Sequence, residues 1–271
     1  MRFNSAQIQK IGKEIRGKVD GKTLFDEFSR GRYSTDASVY QIKPLGVVLP
    51  KDTNDVLSLM EYSQKNSVPL LARGGGSSQC GQTVGESVVL DYSKHQNKIL
   101  ELNVEEKYVW VQPGVVLDHL NAYLKPHGLW FPVDVSTSSR ATIGGMSANN
   151  SCGSRSLYYG NMVHNVLAIE AILDDGSIFN FDQINKNYLA TKNNQDRLYK
   201  IIDKFIDVRK QVGGEIDANW PTTQRRVGGY NIDLIDPEGF NSSNLLVGSE
   251  GTLSLFNKIK LKLSEIPKNK I

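Results

Sequence analysis

Between Pro132 and Gly153 the chain reads PVDVSTSSRATIGGMSANNSCG, small and hydroxyl-bearing residues around the adjacent pair Gly144-Gly145. So long a run of mostly small residues is unusual for a plain connection between elements. It predicts that backbone passes close to another group there. Upstream, Arg73-Gly74-Gly75-Gly76-Ser77-Ser78-Gln79-Cys80-Gly81-Gln82 follows directly on the apolar run VPLLA. Three glycines free the main chain to take positive φ and let N–H groups converge on an anion. Taken alone, this stretch reads equally well as a pyrophosphate cradle or as a tight strand-to-loop turn.

Two common nucleotide-binding patterns fail here. Gly74 and Gly76 match the first two positions of GxGxxG, but the third falls on Gln79 and the chain runs on toward a strand. No GK[ST] follows, so the P-loop pattern fails as well. A ligand needing two separate cradles, one for phosphates and one lined with Ser, Thr and Asn, is long and polar at one end. FAD has that shape.

Working outward, Ile8, Ile11 and Ile15 recur at helical spacing after Ser5 and predict an amphipathic helix ending near Gly17. LGVVLP predicts a strand, KDTNDVLSLMEYSQKN a helix capped by Asp52 or Thr53, and VPLLA and SVVLDYS two further strands. KILELNV with KYVWVQP predicts a hairpin, GVVLDHLNAYLKPHG a helix closed by Gly128, and VLAIEAILDDGSIFNF a second hairpin. DRLYKIIDKFIDVRKQV has helical periodicity and GTLSLFNKIKLKLS reads as a strand. Ile184 to Asn194 and Pro221 to Asn244 carry no clear period. A βαβ lobe followed by a hairpin-rich lobe predicts an α+β fold with two subdomains. The expected division is a lead-in over 1–40, then one domain over 41–265 with a small lobe to about 100 and a larger lobe beyond.

The 271 residues include 32 basic and 29 acidic side chains, a net charge of +3 without clustering, which argues against phosphate-neutralising nucleic-acid binding. MRFNSAQIQKIGKEIRGK lacks the apolar run of a signal peptide, and no stretch approaches the ~18–20 apolar residues of a spanning helix. The expected location is cytoplasmic, with peripheral membrane attachment left open. The two cysteines, Cys80 and Cys152, and the four histidines, His95, His119, His127 and His164, show no metal-ligand spacing, so no metal site is expected.

RGGGSSQCGQ, the run PVDVSTSSRATIGGMSANNSCGSRSLYYG and the late LLVGSEGTLSLF together resemble the FAD-binding domain shared by vanillyl-alcohol oxidase and p-cresol methylhydroxylase. Within that superfamily the chain resembles bacterial D-2-hydroxy-acid dehydrogenases of the D-lactate and D-2-hydroxyglutarate type, the large ones with a C-terminal iron–sulfur module. The resemblance implies a small βαβ lobe packed on a larger antiparallel lobe, with FAD between them. It implies that Arg73, Gly74, Gly75, Gly76, Ser77 and Ser78, with Gly81 and Gln82, wrap the pyrophosphate by main-chain amides. Asp134, Ser136, Thr142, Ile143, Gly144, Gly145, Ala148, Asn149, Cys152 and Gly153 are then expected along the flavin channel, and Glu250, Gly251, Leu255 and Phe256 at its closing end. Against this, Asp134 reads also as a turn cap, Asn149 as satisfying local backbone and Glu250 as a structural residue of its turn.

Relatives that tether flavin covalently carry a histidine where this chain has Gly76, which implies non-covalent FAD. Many read GSEGTLG, whereas Ser254 stands here in place of the last glycine. The implied reaction is oxidation of a D-2-hydroxy acid by hydride transfer to flavin, with electrons passed to a quinone, a cytochrome or an iron–sulfur module. The other reading is an FAD-binding electron-transfer protein or subunit without dehydrogenase activity of its own. In relatives the catalytic base and the substrate-binding arginine come largely from a C-terminal cap domain, expected to be absent here, so no catalytic residue is named. Should the base lie within this chain, His164 and Tyr159 are the first candidates. Lys258, Lys260 and Lys262 predict one basic strand face, either solvated or docked against another domain.

Overall fold

The computed structural model describes residues 3–185 and 196–268. In chain order the first lobe contains α1 (Ser5–Arg16), β1 (Lys22–Leu24), α2 (Glu27–Arg32), β2 (Gly46–Leu49), α3 (Thr53–Asn66), β3 (Leu70–Arg73) and β4 (Val88–Asp91). Its sheet has the order β1-β2-β4-β3, with β2 and β3 parallel to β4 and β1 antiparallel at one edge. Parallel neighbours need a crossover, and α3 supplies it between β2 and β3. Asp52 starts that helix by accepting from the N–H groups of Asn54 (2.9 Å) and Asp55 (3.2 Å), while Ser67, at φ 52°, ends it. The predicted first helix is capped by Asn4 rather than by a residue inside it, through a reciprocal capping box with Gln7. Ile8, Ile11 and Ile15 of α1 pack with Val48, Val56, Leu59 and Leu90 into this lobe's core.

The second lobe contains β5 (Ile99–Asn103), β6 (Tyr108–Val111), α4 (Leu117–Leu124), β7 (Leu129–Trp130), α5 (Ile143–Asn149), α6 (Ser156–Tyr159), α7 (Met162–Asn165) and β8 (Val166–Ile172). It continues with β9 (Ile178–Phe181), β10 (Gln183–Asn185), α8 (Arg197–Asn219), β11 (Gly239–Asn241), β12 (Leu255–Lys262) and β13 (Ser264–Glu265). Its main sheet is antiparallel in the order β5-β6-β12-β8-β9, so the predicted final strand enters the middle of the sheet. One face of β12 buries Ile259 and Leu261 with Val109, Ile169 and Ile143. The other carries the lysines: Lys258 lies 3.0 Å from a Glu170 carboxylate oxygen, Lys260 sits 3.7 Å from the centre of the Tyr108 ring, and Lys262 is exposed. Of the two stretches without a clear period, 221–244 contains a short helical turn at Ile232–Leu234 and then β11. In the other, Ile184 and Asn185 belong to β10, and 186–195 lie outside the described residues.

The lobes are packed together at the ends of β8 and β12. Ile172 and Leu255 reach out of the large sheet into the small lobe's core, and Thr53 Oγ1 donates to Asn257 Oδ1 at 2.8 Å. This contact places the loop after β3 opposite α5 and the start of β12. No helix of the described residues is long and apolar enough to cross a membrane.

Candidate cofactor site

A cleft of about 520 Å³ lies between the lobes, within the ~300–1,000 Å³ usual for cofactor sites. The first glycine loop leaves the carboxyl end of β3 and forms one wall. Among the described residues, the main-chain N–H groups from Gly74 to Gln79 donate no hydrogen bond within the chain. Amides left without protein partners in a half-buried to exposed loop are free to take an anion, the feature a cradle requires. Gly76 takes φ +64°, and a Cβ on Gly75 would stand 2.2 Å from the Arg140 carbonyl oxygen. The loop therefore needs glycine at Gly75 to lie flat against the second loop as well as to admit a ligand.

The Arg73 side chain is engaged within the protein. Its guanidinium donates to the carbonyls of Thr35 (2.8 Å) and Thr83 (3.0 Å), and it lies over the Tyr33 ring at 5.3 Å. Tyr33 in turn donates to Asp91 Oδ2 at 2.6 Å. Burial pushes the Arg73 pKa down, opposed by the Asp91 and Asp36 carboxylates. Its side chain closes the base of the loop.

The second loop forms the opposite wall, with a different use of its backbone. Thr142 caps α5, and the N–H groups of Ile143 and Gly144 donate to Val115 and Pro113 carbonyls at 2.8 Å each. Its first amides are spent on the protein, and Ser136, Thr137, Asn149, Ser151 and Cys152 line the cleft beside them. The third segment completes the wall: Glu250 N donates to Ala148 O at 2.9 Å, and the Glu250 carboxylate accepts from Asn149 Nδ2 (2.9 Å) and Gln82 Nε2 (3.3 Å).

Of the residues expected at the site, the structure brings Arg73 to Ser78, Gln82, Ser136, Thr142, Gly144, Gly145, Ala148, Asn149, Cys152, Glu250, Gly251 and Phe256 onto the cleft wall. Five stand behind it. Gly81 makes a positive-φ turn against the Tyr40 ring. The Asp134 carboxylate accepts from Ser154 Oγ (2.9 Å) and Arg155 N (3.0 Å), the turn-capping alternative, and Gly153 is pressed against it. Ile143 is fully buried in the large core, and Leu255 sits in the lobe contact. His164 and Tyr159 do not line the cleft: His164 Nδ1 accepts from Asn161 N at 3.0 Å, and the Tyr159 ring meets Trp130 edge-on at 5.5 Å.

Sequence reasoning missed Leu70, Ala72, Tyr92, Pro113 and Val227 on the cleft wall. Their signal is that of ordinary strand and loop residues. Tyr92 Oη and Ser254 Oγ are buried without a hydrogen-bond partner among the described residues, although their residues line the cleft and are 5% and 8% exposed. Such orphaned hydroxyls cost roughly 1–3 kcal/mol each unless something meets them. Ser254 was visible in the sequence only as a departure from glycine.

Residues 44–182 match the family model described as an FAD binding domain. This chain belongs to the FAD-binding domain family. D-2-hydroxyglutarate dehydrogenase of Haemophilus influenzae is 36% identical over 247 residues, 86% of this chain and 24% of that protein. Glycolate oxidase subunit GlcD of Bacillus subtilis is 31% identical over 268 residues, 97% of this chain and 47% of that protein. The chain thus spans about a quarter of the length of the dehydrogenase it matches. In structure, alkyldihydroxyacetonephosphate synthase superposes with a TM-score of 0.68 at 18% identity, covering 96% of this chain and 41% of that one. That likeness establishes the two-lobed α+β fold. FAD is the family's cofactor, in this family typically held non-covalently, and the residues present fit it. Free amides at Gly74 to Gln79 suit its phosphates, and the orphaned Tyr92 and Ser254 hydroxyls suit a ligand with further donors and acceptors.

Proposed function

We propose that this chain is the FAD-binding part of a dehydrogenase that oxidises a D-2-hydroxy acid of the D-lactate or D-2-hydroxyglutarate type. The observation that carries this reading is the cleft itself, where three glycine-rich segments converge around unengaged amides, in a chain similar to D-2-hydroxyglutarate dehydrogenases. In this reading the amides of Gly74 to Ser78 take the pyrophosphate, and Ser136, Asn149, Cys152 and Gly251 line the rest of the cofactor's path. Bound FAD supplies a two-electron acceptor. Electrons then leave to a quinone, a cytochrome or an iron–sulfur centre, and a cytoplasmic location belongs to the same proposal.

A second reading is a flavin-binding subunit without dehydrogenase activity of its own. It is favoured by the chemistry of the wall: among the described lining residues there is no histidine, and the one carboxylate, Glu250, is engaged by Gln82 and Asn149. A general base contributes ~10²–10⁴-fold to proton removal, so this cleft by itself is a poor dehydrogenase. The purified chain of residues 1–271 tests both. It is expected to be yellow, to release flavin into the supernatant on acid precipitation, and to be reduced by dithionite. D-2-hydroxyglutarate or D-lactate with an artificial acceptor is expected to give near-background turnover. Turnover on the order of 1–10³ per second would put the base within the chain. A colourless chain that takes up no added FAD would sink both readings.

A further inference from the structure

Glu250 is where the three glycine-rich segments meet. Its φ is +52°, in the region where glycine is the least strained residue, and its N–H bond to Ala148 O is one that any residue can make. What glycine would lack is the carboxylate. One oxygen of that carboxylate, Oε1, accepts from Gln82 Nε2 of the first loop and from Asn149 Nδ2 of the second. The far ends of both amides are held too: Ser78 Oγ donates to Gln82 Oε1, and Ser151 Oγ donates to Asn149 Oδ1 at 2.9 Å. The result is a continuous chain, Ser78–Gln82–Glu250–Asn149–Ser151, across the cleft between elements distant in sequence.

Beside this chain of bonds, the first loop meets the second by the packing of Gly74 on Thr142 and of Gly75 on Arg140, contacts without direction. Its amides from Gly74 to Gln79 make no bonds within the described chain, and Arg73 ties only its base, through Thr35 and Thr83. Bonds to an ionised acceptor are about twice as strong as neutral ones. We propose that Glu250 is a positioning residue for the cofactor, its carboxylate locking the amide-bearing first loop to the second so that the cradle is pre-formed. This rests on the FAD reading of the cleft, and it gives Glu250 a role through Gln82 and Asn149 rather than at the reacting atoms.

The test compares Glu250→Gly with Glu250→Gln, reading FAD dissociation constants by flavin-fluorescence quenching on the apo-protein, with melting of each apo-variant as the folding control. Glycine suits the backbone but removes the acceptor, and is expected to weaken FAD binding by about 10- to 100-fold, the scale of one bond to a charged group. Glutamine keeps an oxygen that can accept both bonds but loses the charge, and is expected to fall between the parent and the glycine variant. Gln82→Ala is expected to weaken binding in the parent and to add little in the Glu250→Gly background. Parent-like affinity in Glu250→Gly, or equal losses in the glycine and glutamine variants, would overturn the proposal. If Glu250→Gly does not fold, parent-like binding by both Gln82→Ala and Asn149→Ala overturns it. A parent chain that binds no FAD would instead defeat the cofactor reading.

Discussion

Gly75 shows how one residue serves two surfaces at once. A Cβ there would meet the Arg140 carbonyl oxygen at 2.2 Å and its carbon at 3.0 Å, main-chain atoms of the opposite loop that cannot turn aside. The steric demand thus comes from loop-to-loop packing, and any side chain violates it. Gly75→Ala is expected to lose stoichiometric FAD, measured as the ratio of flavin to protein absorbance after gel filtration, nearly as completely as Gly75→Asp. If Ala retains the flavin while Asp loses it, the charge facing the phosphates matters and the packing does not. Tyr92 makes the complementary point: its hydroxyl is buried at the cleft with nothing to bond, a cost that a ligand removes.

At the scale of elements, β12 decides the larger lobe. It lies between β6 and β8, so both of its edges are hydrogen-bonded, and bulges between Phe256 and Lys258 and between Lys260 and Leu261 shift its register against β8. Those bulges re-aim successive side chains, which is how Leu255 comes to point into the small lobe while Ile259 and Leu261 fill the large one. Ile259 is fully buried at the middle of this strand. Ile259→Ala is expected to cost about 2–5 kcal/mol, whereas Lys262→Ala, on the exposed lysine face, should stay within about 0.5 kcal/mol. Chemical denaturation of the two variants checks this. Similar losses in both would mean that the lysine face is covered in the folded protein.

For the whole molecule, the cofactor's place between the lobes makes stability depend on occupancy. At FAD concentrations of ~100 times the dissociation constant, the gain is about 2.7 kcal/mol, or roughly 5–10 °C in melting temperature for a chain of this size. Tyr92→Phe is expected to narrow that gap from both sides. The apo-protein melts higher because an orphaned hydroxyl is gone, and the FAD complex melts lower because a partner is lost. Thermal melts of parent and variant with and without FAD measure it, and an unchanged gap would show that the Tyr92 hydroxyl does not meet the cofactor.

The order of the longer elements, the two lobes and the family were legible in the sequence because each rests on local pattern: apolar residues at helical or alternating spacing, caps such as Asp52 and Gly128, and three glycine-rich motifs in order; the short β1, α2, β10 and β11 were not. The glycine loops also disclosed most of the cleft wall, since residues that let a ligand approach backbone are small wherever the chain goes next. What no local pattern carries is which partner each group finds. That the Arg73 guanidinium finds the carbonyls of Thr35 and Thr83 depends on where those segments lie in space. So does whether Asp134 faces the cleft or caps the turn at Arg155, and whether Leu255 lines a channel or seals two lobes. Glu250 depends on it most, because its two partners are 168 and 101 residues away in the chain: Asn149 is brought up by the folding of the larger lobe, and Gln82 only by the contact between the lobes.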